Sequence, residues 1–347
     1  MMGRWSRSVR CCFAKTNRRT ATLLRAFRTI ASPADRVARC FIFGLAVALI
    51  MSAAGTLNLL PSLREAFASD QASKSGTLSR VTADGYFKQR PAWSPNGEYV
   101  VFARHRGTTI FLVLHHLESG KEERLTKSEH PEYDAVFASN GKELLFAYDK
   151  ASPNQGDIEV HHLDFESREA KPVAITEGTL SHEESPCWSP DGKRIAFTST
   201  RHGNQELYAA DNLGKNVIRL TSDPAHDAHP SWSPDGKRIA FATDRWGDLE
   251  IALINPDGTN LTRLTTSKGL DDYPSWSPSG KQLAFTSNRD GNLEIYVHDT
   301  ATGRLVNATH SPAIDNFPAW TADGRLGFVS NRDNGFDIYV SSIDAQD

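Results

Sequence analysis

The sequence predicts an all-β protein, a six-bladed β-propeller of four-stranded blades whose N-terminal strand closes the last blade. Two observations predict it. Trp188, Trp232, Trp276 and Trp320 stand 44 residues apart, and identical spacing means identical supersecondary units in series. Between them, turn signals recur at roughly 8–12 residues with no helical period, the pattern of short strands.

Each unit reads as four strands. The first carries Pro-x-Trp, as in Pro186-Cys187-Trp188, Pro230-Ser231-Trp232, Pro274-Ser275-Trp276 and Pro318-Ala319-Trp320. Ser189-Pro190-Asp191-Gly192 and its counterparts form a turn: Pro presets φ, Asp bonds local backbone, and Gly takes a positive φ. An apolar run follows (Ile195-Ala196-Phe197, Ile239-Ala240-Phe241, Leu283-Ala284-Phe285, Leu326-Gly327-Phe328). Being short and bounded by turns, it predicts a buried strand. A second turn, such as Asn288-Arg289-Asp290-Gly291-Asn292, leads to a third strand, Leu293 to Val297. The fourth closes on Arg-Leu-Thr, at Arg219-Leu220-Thr221 and Arg263-Leu264-Thr265.

Two earlier copies complete the set. Trp93 follows Pro91, and 44 residues later Phe137 takes the Trp position. The gap from Phe137 to Trp188 is 51, and Lys150 to Gly156 is the expected insertion. Six units thus fill residues 76–347. The sixth ends after its third strand, whereas Ser79-Arg80-Val81-Thr82 carries the closing motif before any blade begins. Residues 77–82 are therefore expected to supply the last blade's outer strand and remove two open sheet edges.

The Pro-x-Trp-Ser-Pro-Asp-Gly-Lys-x-Ile-Ala-Phe core, with Lys193, Lys237 and Lys281 after the Gly, resembles the WD40-like PD40 repeat of the TolB family. That resemblance implies a non-catalytic protein-binding scaffold in the cell envelope, docked to a lipoprotein of the Pal type. It also implies an α/β domain ahead of the propeller, for which the segment before the first strand is too short.

The first 75 residues differ in kind. The arm 1–39 holds ten basic residues against one acid, Asp35, while the whole chain is −3. The propeller is therefore acidic; the basic arm could suggest nucleic acid, but the apolar stretch that follows it points to a membrane instead, and no nucleic-acid partner is expected. Residues 40–63 carry no charge and suit a signal peptide or a signal-anchor helix. Basic residues ahead of it predict export, with the propeller on the periplasmic side. Ser52-Ala53-Ala54 and Ala66-Phe67-Ala68 are both cleavage candidates, and 64–75 reads as a linker. Cys187 is the one cysteine of the propeller, so no disulfide is expected there. A monomer is expected.

The chain lacks a Gly-x-Ser-x-Gly elbow, a His-Glu-x-x-His pair and a phosphate loop, so no catalytic residue is expected. One constellation emerges on alignment. Five residues before each Trp (or Phe137) stand Lys88, Glu132, Glu183, Asp227, Asp271 and Asp315, with His130, His182, His226 and His229 nearby. At the start of innermost strands these acids would ring a channel mouth that binds a cation or a basic partner segment. The alternative is local turn capping. No cofactor is required; if a metal binds, oxygen ligands favour calcium over zinc, with the His residues leaving a transition metal open. Arg201/Glu206, Arg245/Glu250, Arg289/Glu294 and Arg332/Asp337 recur at a spacing of five, and are expected to pair across their hairpins. Trp246, Tyr273 and Phe317 are candidates for an exposed binding face. The rival function is a metal-dependent lyase of the oligogalacturonate type, which resembles this repeat and needs several His on one cation, or a carbohydrate-binding propeller.

Overall fold

A computed structural model describes residues 78–150, 158–173, 175 and 181–342. The basic arm, the uncharged stretch, the linker and most of the expected insertion lie outside the described residues. Among the described residues no helix is long and apolar enough to cross a membrane.

Six four-stranded antiparallel sheets follow one another along the chain. A short strand, β1 (Ser79–Arg80), precedes blade 1, which contains β2 (Lys88–Trp93), β3 (Tyr99–Arg106), β4 (Thr109–His116) and β5 (Glu122–Arg124). Blade 2 contains β6 (Glu132–Phe137), β7 (Glu143–Asp149), β8 (Ile158–Asp164) and β9 (Ala170–Pro172). Blade 3 contains β10 (Glu183–Trp188), β11 (Arg194–Ser199), β12 (Glu206–Asp211) and β13 (Ile218–Arg219). Blade 4 contains β14 (Asp227–Trp232), β15 (Ile239–Thr243), β16 (Glu250–Ile254) and β17 (Thr262–Arg263). Blade 5 contains β18 (Asp271–Trp276), β19 (Gln282–Ser287), β20 (Glu294–Asp299) and β21 (Leu305–Asn307). Blade 6 contains β22 (Asp315–Trp320), β23 (Leu326–Ser330) and β24 (Asp337–Ser341), and β1 completes it by pairing Ser79 with Val340 and Arg80 with Tyr339.

The turn between first and second strands works as its residues dictate. In blade 3 the Ser189 hydroxyl donates to Asp191 at 2.6 Å, and the backbone amide of Arg194 donates to Ser189 Oγ at 2.9 Å. Gly192 sits at φ 68°, where a side chain would be strained. Blade 4 repeats the arrangement with Ser233 and Asp235.

The second strand alternates its side chains between the two faces of a blade. Val101 and Ala103 join a buried cluster with Ala135, Leu144 and Phe146 of blade 2, whereas Val100 and Phe102 join one with Phe317, Val329 and Ile338 of blade 6. Blades 2 and 3, 3 and 4, 4 and 5, and 5 and 6 share further clusters of the same kind. The core is thus a ring of six apolar layers, each owned by two sheets.

The latch repeats the chemistry of the other blades. In blade 4, Arg263 donates to Glu250 at 2.7 Å and Thr265 Oγ1 to the same carboxylate at 2.6 Å. In blade 6, Arg80 donates to Asp337 at 2.6 Å and Thr82 Oγ1 at 2.9 Å. The Arg-x-Thr motif at Arg80 and Thr82 therefore satisfies the third strand of a blade some 250 residues away.

Candidate functional site

The first residue of each innermost strand is Lys88, Glu132, Glu183, Asp227, Asp271 or Asp315. The register pairs Asp227 with Thr243 and Asp271 with Ser287, so these residues share one end of the propeller with the hairpins joining second and third strands. Their side chains do not project into the channel. All six residues are buried, at 1% exposure or less. Arg245 holds Asp227 through bonds of 2.9 and 2.7 Å, Arg289 holds Asp271 at 3.0 and 2.8 Å, and Arg332 holds Asp315 at 3.0 and 2.9 Å. Arg201 donates to Glu183 at 3.1 Å, joined by Ser199 Oγ at 2.7 Å. Glu132 accepts from Thr126 Oγ1 at 2.6 and 2.5 Å. Burial still pushes the Asp227, Asp315 and Glu132 carboxyls above their ordinary range, against the pull of those partners.

These contacts correct the expected ion pairs. Arg201, Arg245, Arg289 and Arg332 do not cross their hairpins to Glu206, Glu250, Glu294 and Asp337. Each guanidinium folds back over its own second strand, with Nε on the Oγ of Ser199, Thr243, Ser287 or Ser330 at 2.8–3.0 Å. It then reaches the innermost strand. Glu206 and Glu250 turn the other way, to Arg219 at 2.8 Å and Arg263 at 2.7 Å on the outer strand.

The central cavity lies further along the innermost strands, has a volume of about 260 Å³ and draws lining residues from all six blades. None of the five carboxylates lines it, nor do His182 or His226; His229 does. The backbone amides of His182 and His226 are held in the mouth-end loops by Thr200 Oγ1 at 2.9 Å and Asp244 at 2.8 Å. Among the described residues, no three His, Cys, Asp or Glu side chains gather in a group that could hold a metal ion.

What does line the cavity includes five of the six residues at one repeat position, all but Ser185. Arg90, Asp134, Ser185, His229, Tyr273 and Phe317 are each the third residue of an innermost strand, and each has a positive φ between 44° and 57°. The pairing register slips there in every blade, as between Ala228 and Ser231. A bulge of this kind re-aims a side chain. Pro91, Pro186, Pro230, Pro274 and Pro318 follow directly, in keeping with the restriction of Pro to bulges and free edges. The left-handed conformation costs each residue roughly 1–2 kcal/mol, and such strain persists only where the surrounding sheet enforces it.

The six side chains divide into two arcs. Arg90 Nη1 lies 2.8 Å from Asp134 Oδ2 and donates to Ser185 Oγ at 2.7 Å, while Ser185 donates to Asp134 through N at 3.2 Å and Oγ at 3.0 Å. The arcs meet where the Arg90 guanidinium lies 5.7 Å from the Tyr273 ring centroid; His229 packs on Tyr273 with ring centroids 4.2 Å apart, and Tyr273 meets Phe317 at 4.7 Å and 66°. His229 Nδ1 is 2.6 Å from Asp272 Oδ1. Phe317 is not exposed as expected: it is 5% exposed and belongs to the layer between blades 6 and 1. Tyr273 is partly buried, and Trp246 is 37% exposed. Beside the polar arc, burial and the neighbouring Asp134 push the Glu184 carboxyl up to about 7.

A closed ring of six repeat-built sheets around a channel with a polar and an aromatic side defines a β-propeller of the PD40 type. The chain belongs to the TolB β-propeller domain family, which matches residues 147–273 and 264–347. It is 29% identical over 120 residues to the Tol-Pal system protein TolB of Francisella tularensis subsp. mediasiatica, a match covering 35% of this chain and 26% of that protein. The chain therefore spans about a quarter of the length of such curated relatives. A structure assigned as TolB of Agrobacterium tumefaciens superimposes with a TM-score of 0.60 at 22% identity, covering 75% of this chain and 92% of that one. Oligogalacturonate lyase of Vibrio parahaemolyticus superimposes with a TM-score of 0.53 at 15% identity, covering 79% and 95%. At these identities the structural likeness is one of fold alone.

Proposed function

We propose that the protein is a non-catalytic docking scaffold on the outer side of the cytoplasmic membrane, whose mouth end receives an envelope protein, a lipoprotein of the Pal kind. Membership of the TolB propeller family and the uncharged stretch at 40–63 support the location. The observation that carries the docking surface is Trp246. It stands 37% exposed at a hairpin tip of the mouth end, with the Arg245 guanidinium 5.7 Å and that of Arg263 4.9 Å from its ring centroid. An aromatic ring held in place by two cations loses little freedom on binding, which is how interface anchors work. In this reading Glu132, Glu183, Asp227, Asp271 and Asp315 act as struts. They fix the loops that carry His182, His226 and Trp246, and a basic partner segment meets those loops rather than the carboxylates. The lyase reading has less support, because of His130, His182, His226 and His229 only His229 lines the cavity.

The test is a photo-reactive residue at position 246 of the full chain in its own cell envelope. A single envelope lipoprotein is expected in the cross-linked product, with capture by the native protein lost on Trp246→Ala. A cross-link to no envelope protein, or capture indifferent to Trp246→Ala, overturns the proposal.

A further inference from the structure

We infer that the face of the propeller opposite the mouth rests on a lipid bilayer, with Leu78, Val217, Leu261 and Leu305 entering the headgroup region. The inference takes from the docking reading only its location beside the membrane. It leaves the mouth end free for a partner.

Topology fixes the face. The innermost strands begin at the mouth end and successive strands of a blade are antiparallel, so the first–second and third–fourth turns lie at the opposite end. The outer strands start there. Leu78, Val217, Leu261 and Leu305 stand two residues before Arg80, Arg219, Arg263 and Asn307, one equivalent position in blades 6, 3, 4 and 5. All four are 36–41% exposed, and Leu213, in the turn before Val217, is 65% exposed. Single exposed aliphatic residues are ordinary on a protein surface. Recurrence at one position of four consecutive blades instead sets them along one rim.

The same four blades present cations at this end. Lys193, Lys237, Lys281 and Arg325 follow the glycine of the first–second turn, and all are exposed. Asp191 and Asp235 beside them are engaged within the turn, by Ser189 Oγ at 2.6 Å and Ser233 Oγ at 2.7 Å. The Lys237 side chain is 80% exposed against 58% for Asp235, so the ammonium is the outer charge of the two. Blade 1 breaks both patterns, with Glu98 and Glu122 at the two positions, and blade 2 carries Lys142 and Ala170. Aliphatic and cationic positions therefore coincide in one sector of a propeller that is acidic as a whole. That pairing matches anionic headgroups over an acyl layer: the aliphatic tip enters the boundary and the ammonium meets phosphate. A protein partner needs a contiguous packed core. Side chains set one to a blade suit a fluid surface, which closes around each.

The chain itself supplies proximity. It enters the propeller at Leu78, on this face, and only residues 64–77 separate Leu78 from the uncharged stretch 40–63, about 50 Å of chain at full extension.

The experiment uses the full chain, with Cys11, Cys12 and Cys40 replaced by Ser, reconstituted into vesicles of phosphatidylcholine and phosphatidylglycerol. A fluorophore is attached through Leu261→Cys, Leu305→Cys or, as the polar control, Glu122→Cys. Cys187 does not compete, since burial pushes its thiol up to about 12. Spin-labelled lipid is expected to quench the fluorophore at 261 and 305 about threefold or more above that at 122. Lys237→Glu with Lys281→Glu should lower the quenching at both positions. A chain that floats with the vesicles while 261 and 305 are quenched no more than 122 overturns the inference and leaves the location standing. Quenching indifferent to the charge reversal overturns it too. A chain that does not float overturns both.

Discussion

Lys88 is the residue where the repeat changes sign. Five blades place a carboxylate at this position; the first places an ammonium, fully buried, which donates to Asp337 at 2.9 Å, to Phe336 O at 3.0 Å, to Tyr86 O at 3.1 Å and also to Asp84. Asp337 belongs to blade 6, so this side chain joins the innermost strand of the first blade to the third strand of the last. Although burial opposes it, the bonds from Lys88 and Arg80 hold the Asp337 carboxyl below its ordinary range. Lys88→Met should therefore cost about 3 kcal/mol, the usual scale for one partner lost from a buried pair, read from urea unfolding at neutral pH. Glu184 has the opposite sign. Its carboxyl titrates near 4.5 in the unfolded chain and at about 7 when folded. The folded state then holds more protons between those values, so stability falls as pH rises from 4.5 to 7 and levels off above. Glu184→Gln should remove that fall, leaving the variant more stable than the native protein at pH 8 by about 3 kcal/mol, with little difference at pH 4.5.

At the scale of the strand, the sequence marks one position where packing differs between blades. The apolar run reads Ala at 196, 240 and 284 but Gly at 327. A Cβ at Gly327 would stand 2.6 Å from the Trp93 indole, the aromatic side chain that blade 1 lays against blade 6. Gly327→Ala should destabilise by about 1–3 kcal/mol through overpacking, seen as a lower melting temperature. Ala196→Gly in a sister blade tests the converse and should cost about 1 kcal/mol, through chain entropy. The strands themselves were legible because their turns are spelled out in residues such as Ser189, Asp191 and Gly192. The ion pairs were not. A spacing of five suggests that Arg289 meets Glu294, yet the hairpin register sets Ser287 opposite Glu294 and sends the arginine back along its own strand to Asp271. Spacing along the chain reports which residues are level, not which way a long side chain swings. The bulge was hidden for a related reason. Arg90, Asp134, Ser185, His229, Tyr273 and Phe317 are of no single chemical type, so alignment offers no pattern; only the Pro that follows in five of them hints at an irregular backbone.

The propeller as a whole depends on a pairing between its two ends. Arg80 and Thr82 supply to Asp337 what Arg263 and Thr265 supply to Glu250 within one blade. The double variant Arg80→Ala/Thr82→Val should lower stability by about 2–4 kcal/mol, since it strips two charge-assisted bonds from a buried carboxylate. Hydrogen exchange should then show the amides of β24 opening ahead of those of β16 and β20, the matching third strands, because β24 alone would lose its outer neighbour. Equal exchange across the three strands would mean that the ring holds without its latch.

That pairing also sets an order of events. Ser79 meets Val340 across 261 residues, so β1 must wait for a strand made 261 residues later. Until the C-terminal blade has emerged, β1 has no site and blades 1 to 5 form an open arc with the apolar faces of Val100 and Phe102 uncovered. A nascent chain stalled short of Asp337 would thus be a target for chaperones and proteases. The finished molecule, by contrast, offers neither end of its sheet to them.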